Sequence, residues 1–402
     1  MRPLTFSSGP ARLLTAALLG TLAFGANADV ITDWNAKAGN VIVESKLGTP
    51  PAIRVMAIVQ TAVDEAVAAA AADARGASID AAVAAANRAT LTKLIPAQRG
   101  SVESTYLAAL AEIPDGAAKD AGVAAGERAA DKVFAQRTDD GAVPGEAYRP
   151  LTAAGVYVPT ATPAVPQWPQ RKPWLMRSAD QFRPGPPPPL TSEAWARDYE
   201  EVKALGARNS ARRSVEQSEI ARFWEYSLPP IYFGVVRSVA EAPGRDPARN
   251  ARLFALAAQA MDDAMISVFD AKYHYNFWRP ATAIRNGDID GHDATQRDAA
   301  WTPLIDAPLH PEYPSAHAIL AGAVAAIIDA EVGAGPMPLL TTISPTAKGA
   351  ARQWLSAADF EREVAEARIY EGIHYRTSTE TGAAMGRRIG ELAAGRQLRA
   401  GN

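Results

Sequence analysis

The sequence predicts an all-α protein, a helical bundle with a decorated face, and three observations lead there. Alanine, the strongest helix former, recurs in long runs over residues 30–137. Apolar side chains return at helical spacing, as at Ile53, Met56, Ala57 and Val63 to Val67. No strand-like alternation interrupts that region.

The chain opens as an exported protein does. Arg2 and Arg12 give a positive start, Leu13 to Phe24 is an apolar run, and Ala26-Asn27-Ala28 is a small-x-small cleavage signal. A leader over residues 1–28 with a mature start at Asp29 is expected. The run is short for a membrane anchor, and no other stretch is long and apolar enough to span a bilayer. Residues 29–137 follow as an Ala-rich helical region, with helices expected over 81–94 and 117–134 and breaks at Pro51 and Pro96. Its close-packing small faces read as scaffold.

Residues 138–190 change character, holding twelve of the 30 prolines. Proline fixes φ and removes a donor, so the segment is extended. It is either an interdomain linker or an ordered arm laid over the helices. Trp168 and Trp174 favour the arm, since a linker seldom exposes tryptophan.

Residues 191–402 form the C-terminal helical domain. Thr191-Ser192-Glu193 starts a helix through Leu205, and Ser214 with Gln217 forms a capping box. A long helix over 250–272 and a loop over 286–313 come next. Helices over 315–331, 356–370 and 378–395 complete the set.

Bulk composition narrows the chemistry. The 402 residues are 48% hydrophobic and 21% charged, with a formal net charge of -3. No basic surface for nucleic acid is implied, and the expected partners are small molecules. The absence of cysteine excludes disulfides, thiol nucleophiles and Cys-type metal sites.

All five histidines, at 274, 292, 310, 317 and 374, lie between Lys272 and His374. Histidine titrates near neutral pH, which points to chemistry in that window. Lys272 and Arg279 are two helical turns apart, so a continuous helix would point both the same way, with Pro280 ending it. Two fixed cations suit a multivalent oxyanion, although a solvated basic face has the same pattern. Ser315 is an N-cap candidate for the next apolar helix, whose free first-turn amides form an anion site. His317, in that turn, can act as general acid or base. Gly372 is expected to end the helix carrying Arg368 and place His374 in a short joint. Thr377-Ser378-Thr379-Glu380 then reads as a capping box, with Glu380 a cap rather than a catalytic acid. Together these residues describe a tetrahedral-oxyanion site with a nucleophile or axial ligand and a proton donor.

Lys272-x6-Arg279-Pro280, Pro314-Ser315-Ala316-His317 and Ala367-Arg368-x5-His374 together resemble the signature of vanadium-dependent haloperoxidases and type 2 phosphatidic acid phosphatases. The flanks over 272–285 and 368–376 resemble the haloperoxidase branch, and the likeness covers roughly residues 190–395. It implies the helical-bundle fold of that superfamily. It implies His374 as axial vanadate ligand, or as the attacking nucleophile of a phosphatase that needs no cofactor. It implies His317 as acid–base residue, and Lys272, Arg279, Arg368, Ser315 and the Ala316 amide as the oxyanion cradle. His310 falls where a halide-side or supporting residue sits. Bound vanadate would activate peroxide as a Lewis acid for attack by halide.

Three positions depart from the pattern. Ala316 replaces glycine, Ala367 replaces serine, and Ser378 stands where an aspartate supports the second histidine. Asp262 or Asp263 is a candidate replacement for that aspartate. The expected activity is an exported haloperoxidase; a phosphatase working through a phosphohistidine and a non-catalytic oxyanion binder are the alternatives. Asp288-x-Asp290-Gly291-x-Asp293 has too few ligands for a calcium loop, with Ala299 where the bidentate acid belongs.

Overall fold

Residues 29–142 and 148–400 are described by a computed structural model; the expected leader at 1–28 lies outside the described residues. The N-terminal helices are α1 (Val30–Glu44), α2 (Thr49–Ala71), α3 (Ile79–Leu94), α4 (Arg99–Ala111) and α5 (Ala117–Arg137). Asp29 caps α1 through a box with Thr32. Pro50 and Pro51 occupy the first turn of α2, where a missing N–H costs nothing, so Pro51 helps to start a helix.

The proline-rich segment is an ordered arm over residues 148–192. Its tryptophans pack inward: Trp168 is buried and Trp174 partly buried against the main core. Arg171 anchors the arm, pairing with Asp262 at 2.5 Å and Asp140 at 3.0 Å, all out of solvent.

The remaining helices are α6 (Glu193–Gly206), α7 (Val215–Trp224), α8 (Pro229–Ala240), α9 (Pro247–Tyr275), α10 (Pro280–Arg285), α11 (Ala316–Val332), α12 (Ala357–Tyr370) and α13 (Arg376–Ala400). Both expected caps form at Ser192 and Ser214. The fold is a helical bundle, as expected, with one addition. Residues 340–344 (β1) and 350–354 (β2) pair as an antiparallel hairpin, Leu340 opposite Trp354. The segment is too short for periodicity to show a strand, and the turn at Lys348-Gly349, both at positive φ, makes it.

Helix α9 is the axis of the molecule. It is buried on nearly every side from Leu253 to Lys272 and packs on α2, α8, α11 and α13. Each fully buried Leu, Phe or Met there contributes about 1.5–3 kcal/mol. One apolar cluster runs from Ile31 through α9 to Ala393. Helix α13 approaches α11 so closely that a Cβ on Gly386 would lie 2.1 Å from the Ile319 carbonyl oxygen. A second, aromatic cluster, with Trp195, Tyr199, Phe277, Trp278, Trp301 and Tyr375, lies around the turn that follows α9.

Two expected boundaries move. Helix α9 does not reach Arg279; it ends at Tyr275, where Asn276 turns left-handed at φ 49°. Asparagine tolerates that conformation, so the helix stops before the proline can act. Helix α13 begins at Arg376, ahead of the expected capping box. The Thr377 amide donates instead to Asp198 on α6 at 3.0 Å, and Glu380 is exposed.

Candidate active site

Four pieces of chain converge. Lys272 comes from the last turn of α9, Arg279 from the N-cap of α10, and Ser315, Ala316 and His317 from the start of α11. Arg368 and His374 flank the α12–α13 joint. Gly372 makes that joint: its φ is 80°, and it lies against Gly206 of α6, where a Cβ would meet backbone at 2.4 Å. Only glycine fits that conformation at so close an approach.

The three cations are sealed from water: Lys272 is 0% exposed, Arg279 2% and Arg368 2%. Each also holds backbone. Lys272 Nζ donates to the carbonyls of Pro311 (3.0 Å) and Glu312 (2.7 Å). Arg279 donates to the carbonyls of His310 (3.0 Å) and Ile373 (2.8 Å). Arg368 donates to the Trp224 carbonyl at 2.7 Å and to Glu371 at 2.6 Å. Lys272 and Arg279 share direction even though the helix breaks between them, because both reach the 310–312 loop.

His374 faces Arg279, with its Nε2 3.3 Å from a guanidinium nitrogen. Its Nδ1 lies 2.6 Å from Glu312 Oε1, which also accepts from the Tyr375 amide at 3.1 Å. An oxygen that accepts from that amide accepts equally from Nδ1–H, leaving the Nε2 lone pair towards Arg279. Glu312 thus stands where the missing aspartate was expected. Ser378 Oγ is 3.5 Å from Nδ1, too far for a good hydrogen bond. Neither Asp262 nor Asp263 substitutes. Asp262 is held by Arg171 and Trp174, and Asp263 accepts three amides, from Trp174, Leu175 and Met176. Glu312 lies in a stretch whose register no periodicity fixes. Its only sequence signal was a carboxylate three residues ahead of Ser315.

The electrostatics are lopsided. Burial, with help from neighbouring Arg279, pushes Lys272 well below its ordinary value. Burial takes Arg279 down to about 10 and lifts Glu312 to about 7. Burial and the cations hold His317 and His374 well below the usual imidazole value. This is a pocket of crowded positive charge. Four polar atoms of these residues are out of water with no partner: Arg368 Nε, His317 Nε2, and the carboxylate oxygens Glu312 Oε2 and Glu371 Oε2. The first-turn amides of Ala316 and His317 have no acceptor within α11, whose N-cap Ser315 Oγ takes the Ala318 amide at 3.4 Å.

His310 lies beside the cluster, its Nδ1 2.9 Å from Arg279 and its ring edge-on to Phe269. His274 is exposed, and His292 is tied into the 290–295 loop, so two of the five histidines lie apart. Asp290 is also spent locally, accepting from Trp195, His292 and Thr295.

Residues 252–400, which carry Lys272, Arg279, His310, Glu312, Ser315, His317, Arg368 and His374, match the family model of the VCPO second helical-bundle domain. Over 144 residues the chain is 31% identical to vanadium chloroperoxidase of Curvularia inaequalis, a match covering 29% of this chain and 23% of that protein. The chain thus spans about a quarter of the length of that curated relative. Among solved structures it is similar to the first bacterial vanadium-dependent iodoperoxidase, with a TM-score of 0.78, 24% identity, and coverage of 91% of this chain and 95% of the other. It is also similar to a holo-type bacterial vanadium-dependent chloroperoxidase, with a TM-score of 0.70, 18% identity, and coverage of 91% and 96%. These likenesses establish the fold along nearly the whole chain.

Proposed function

We propose that this chain, whose residues 252–400 match the family model of the VCPO second helical-bundle domain, is an exported enzyme that oxidises halide with hydrogen peroxide at a vanadate held by His374. One observation carries the reading. Three buried cations and two unpartnered buried nitrogen atoms, Arg368 Nε and His317 Nε2, surround the His374 imidazole. Burying unbalanced charge is costly, and a multivalent oxyanion relieves it.

The residues fit such an anion. Lys272, Arg279, Arg368, Ser315 and the Ala316 amide hold its negative oxygens, and His374 Nε2 offers the lone pair that fixes it. Vanadate so bound supplies a Lewis-acid centre that polarises peroxide without changing oxidation state. The chain's own residues do the rest. Glu312 keeps the His374 proton on Nδ1 and the lone pair on Nε2. His317, held neutral by burial and the neighbouring cations, takes a proton at Nε2 and returns it. His310 orients Arg279. Export rests on the Arg-led apolar run and the Ala26-Asn27-Ala28 signal. No helix among the described residues is long and apolar enough to cross a membrane.

The test is a paired assay on purified mature protein. One arm receives orthovanadate, peroxide, a halide (iodide, bromide or chloride) and an organic acceptor. The other receives a chromogenic phosphate ester without vanadate. Vanadate-dependent halogenation is expected. Ester cleavage that vanadate inhibits would assign the site to phosphohistidine chemistry, and anion binding without either activity would leave a non-catalytic binder.

A further inference from the structure

A cavity of about 310 Å³ opens directly against the histidines, with His310, Ala316, His317 and His374 in its wall. The rest of its surface is mostly apolar and comes from distant parts of the chain. Met265 and Phe269, one turn apart on α9, form one side, and Leu320, one turn beyond His317 on α11, forms another. Leu309, Pro50 at the start of α2 and Ala164 of the arm complete it. The arm therefore contributes to the wall of this cavity through Ala164. Its position there is fixed: the Ala164 amide donates to the Leu309 carbonyl at 2.7 Å, and Tyr273 Oη donates to the Ala164 carbonyl at 2.5 Å. Thr49 and Ser227 also line it, joined at 2.6 Å.

This arrangement is more than a channel for peroxide and halide needs. Those species are small and polar, and an apolar room of this size gives them nothing to bind. It lies at the lower end of small-ligand sites, which pair apolar walls with a few convergent polar groups. The directions are also constrained. Lys272, Arg279 and Arg368 are sealed from water and none of them lines the cavity, whereas His317 and His374 do, so the cavity is the space open to a substituent on an anion bound among these residues.

We infer that this cavity is a binding subsite for the apolar body of a small organic substrate, of one or two aromatic rings, seated with its reacting end against His317 and His374. The inference rests on the oxyanion site proposed above and adds the class of molecule that shares it. Substrate is then engaged on the enzyme, next to the reacting centre.

Phosphonates carry the test, since they bear an oxyanion and a chosen substituent and do not hydrolyse. Isothermal titration calorimetry on the full-length mature protein compares inorganic phosphate, methylphosphonate and phenylphosphonate. Burial of one ring is expected to make phenylphosphonate roughly ten-fold or more tighter than methylphosphonate. Leu320→Trp fills the cavity and is expected to bring the phenyl-to-methyl ratio close to one. Met265→Phe, a smaller change from the opposite wall, is expected to lower the ratio in the same sense should the tryptophan variant fail to fold. Equal binding of both phosphonates by the wild-type protein overturns the subsite and leaves the oxyanion cradle standing. A ratio unchanged in a folded filled variant overturns its location. Absence of binding for all three anions overturns the cradle as well.

Discussion

Replacing Glu312 by glutamine tests the least expected residue of the site. The carboxylate accepts from His374 Nδ1 at 2.6 Å and from the Tyr375 amide at 3.1 Å, and it is 0% exposed. A buried hydrogen bond to a charged group is worth about 1.5–3 kcal/mol. Glutamine keeps the volume and an acceptor oxygen for both donors but removes the negative charge, so the Nδ1–H bond weakens to a neutral one. The Nε2 lone pair facing Arg279 is then less basic and less firmly oriented. Residues that orient ligating histidines typically change affinity or activity by about 10–100-fold, and Glu312→Gln is expected to fall in that range for vanadate affinity. The assay is a vanadate titration followed by halide oxidation, with phosphate binding by calorimetry as a second readout. A structural role alone would give the same loss, so the decisive arm is a rescue. Ser378 Oγ lies 3.5 Å from the same Nδ1, and Ser378→Asp in the Glu312→Gln background restores a carboxylate there. Recovery of at least part of the affinity is expected. A folded Glu312→Gln protein with wild-type vanadate affinity would refute the reasoning.

Three further outcomes follow from the geometry. His317→Ala is expected to lower turnover by roughly 10²–10⁴-fold while phosphate binding by calorimetry shifts by less than about ten-fold, since the three cations remain; intact turnover would remove His317 from the proton-transfer role. Among the described residues, Arg171→Ala leaves buried Asp262 with only the Trp174 indole N–H and no cation, and Asp140 with Arg54 as its one cation, and about 3–5 kcal/mol of stability should be lost in chemical denaturation, with the arm becoming protease-sensitive. Burial raises Asp263 from 3.8 to about 6 against three amide donors. Its folded form therefore binds the proton more tightly than the unfolded chain, and the stability it contributes is full below pH 3.8 and lost as pH rises through 6. The difference in unfolding free energy between wild type and Asp263→Asn should shift towards the variant over that window, by roughly 3 kcal/mol at most. A pH-independent difference would contradict the shift.

The sequence carried the helices well where amphipathic spacing and caps agree, as at Ser192, Ser214 and Ser315. It singled out Lys272, Arg279, Arg368 and the two histidines because they sit at fixed spacings around short joints, and the structure brings them together. It misjudged why Lys272 and Arg279 converge. Helical phase suggested a shared face, whereas the chain breaks at Asn276 and both cations are drawn to the carbonyls of one loop. That loop, 286–313, is also why Glu312 was missed: its position depends on tertiary contacts and leaves no period in the sequence. The hairpin at 340–354 escaped for a related reason, since five-residue strands alternate too briefly to be read. The arm was legible only through its tryptophans; its anchor, Arg171 on Asp262, joins positions 91 apart.

The central claim is that His374 holds vanadate as a working cofactor. The most direct measurement is halide oxidation by phosphate-stripped protein against added orthovanadate. The account predicts no activity without vanadate, saturation near one vanadium per chain, competition by phosphate, and loss of saturable activation in His374→Ala. Halide oxidation that ignores vanadate, or full activation retained in His374→Ala, would contradict it.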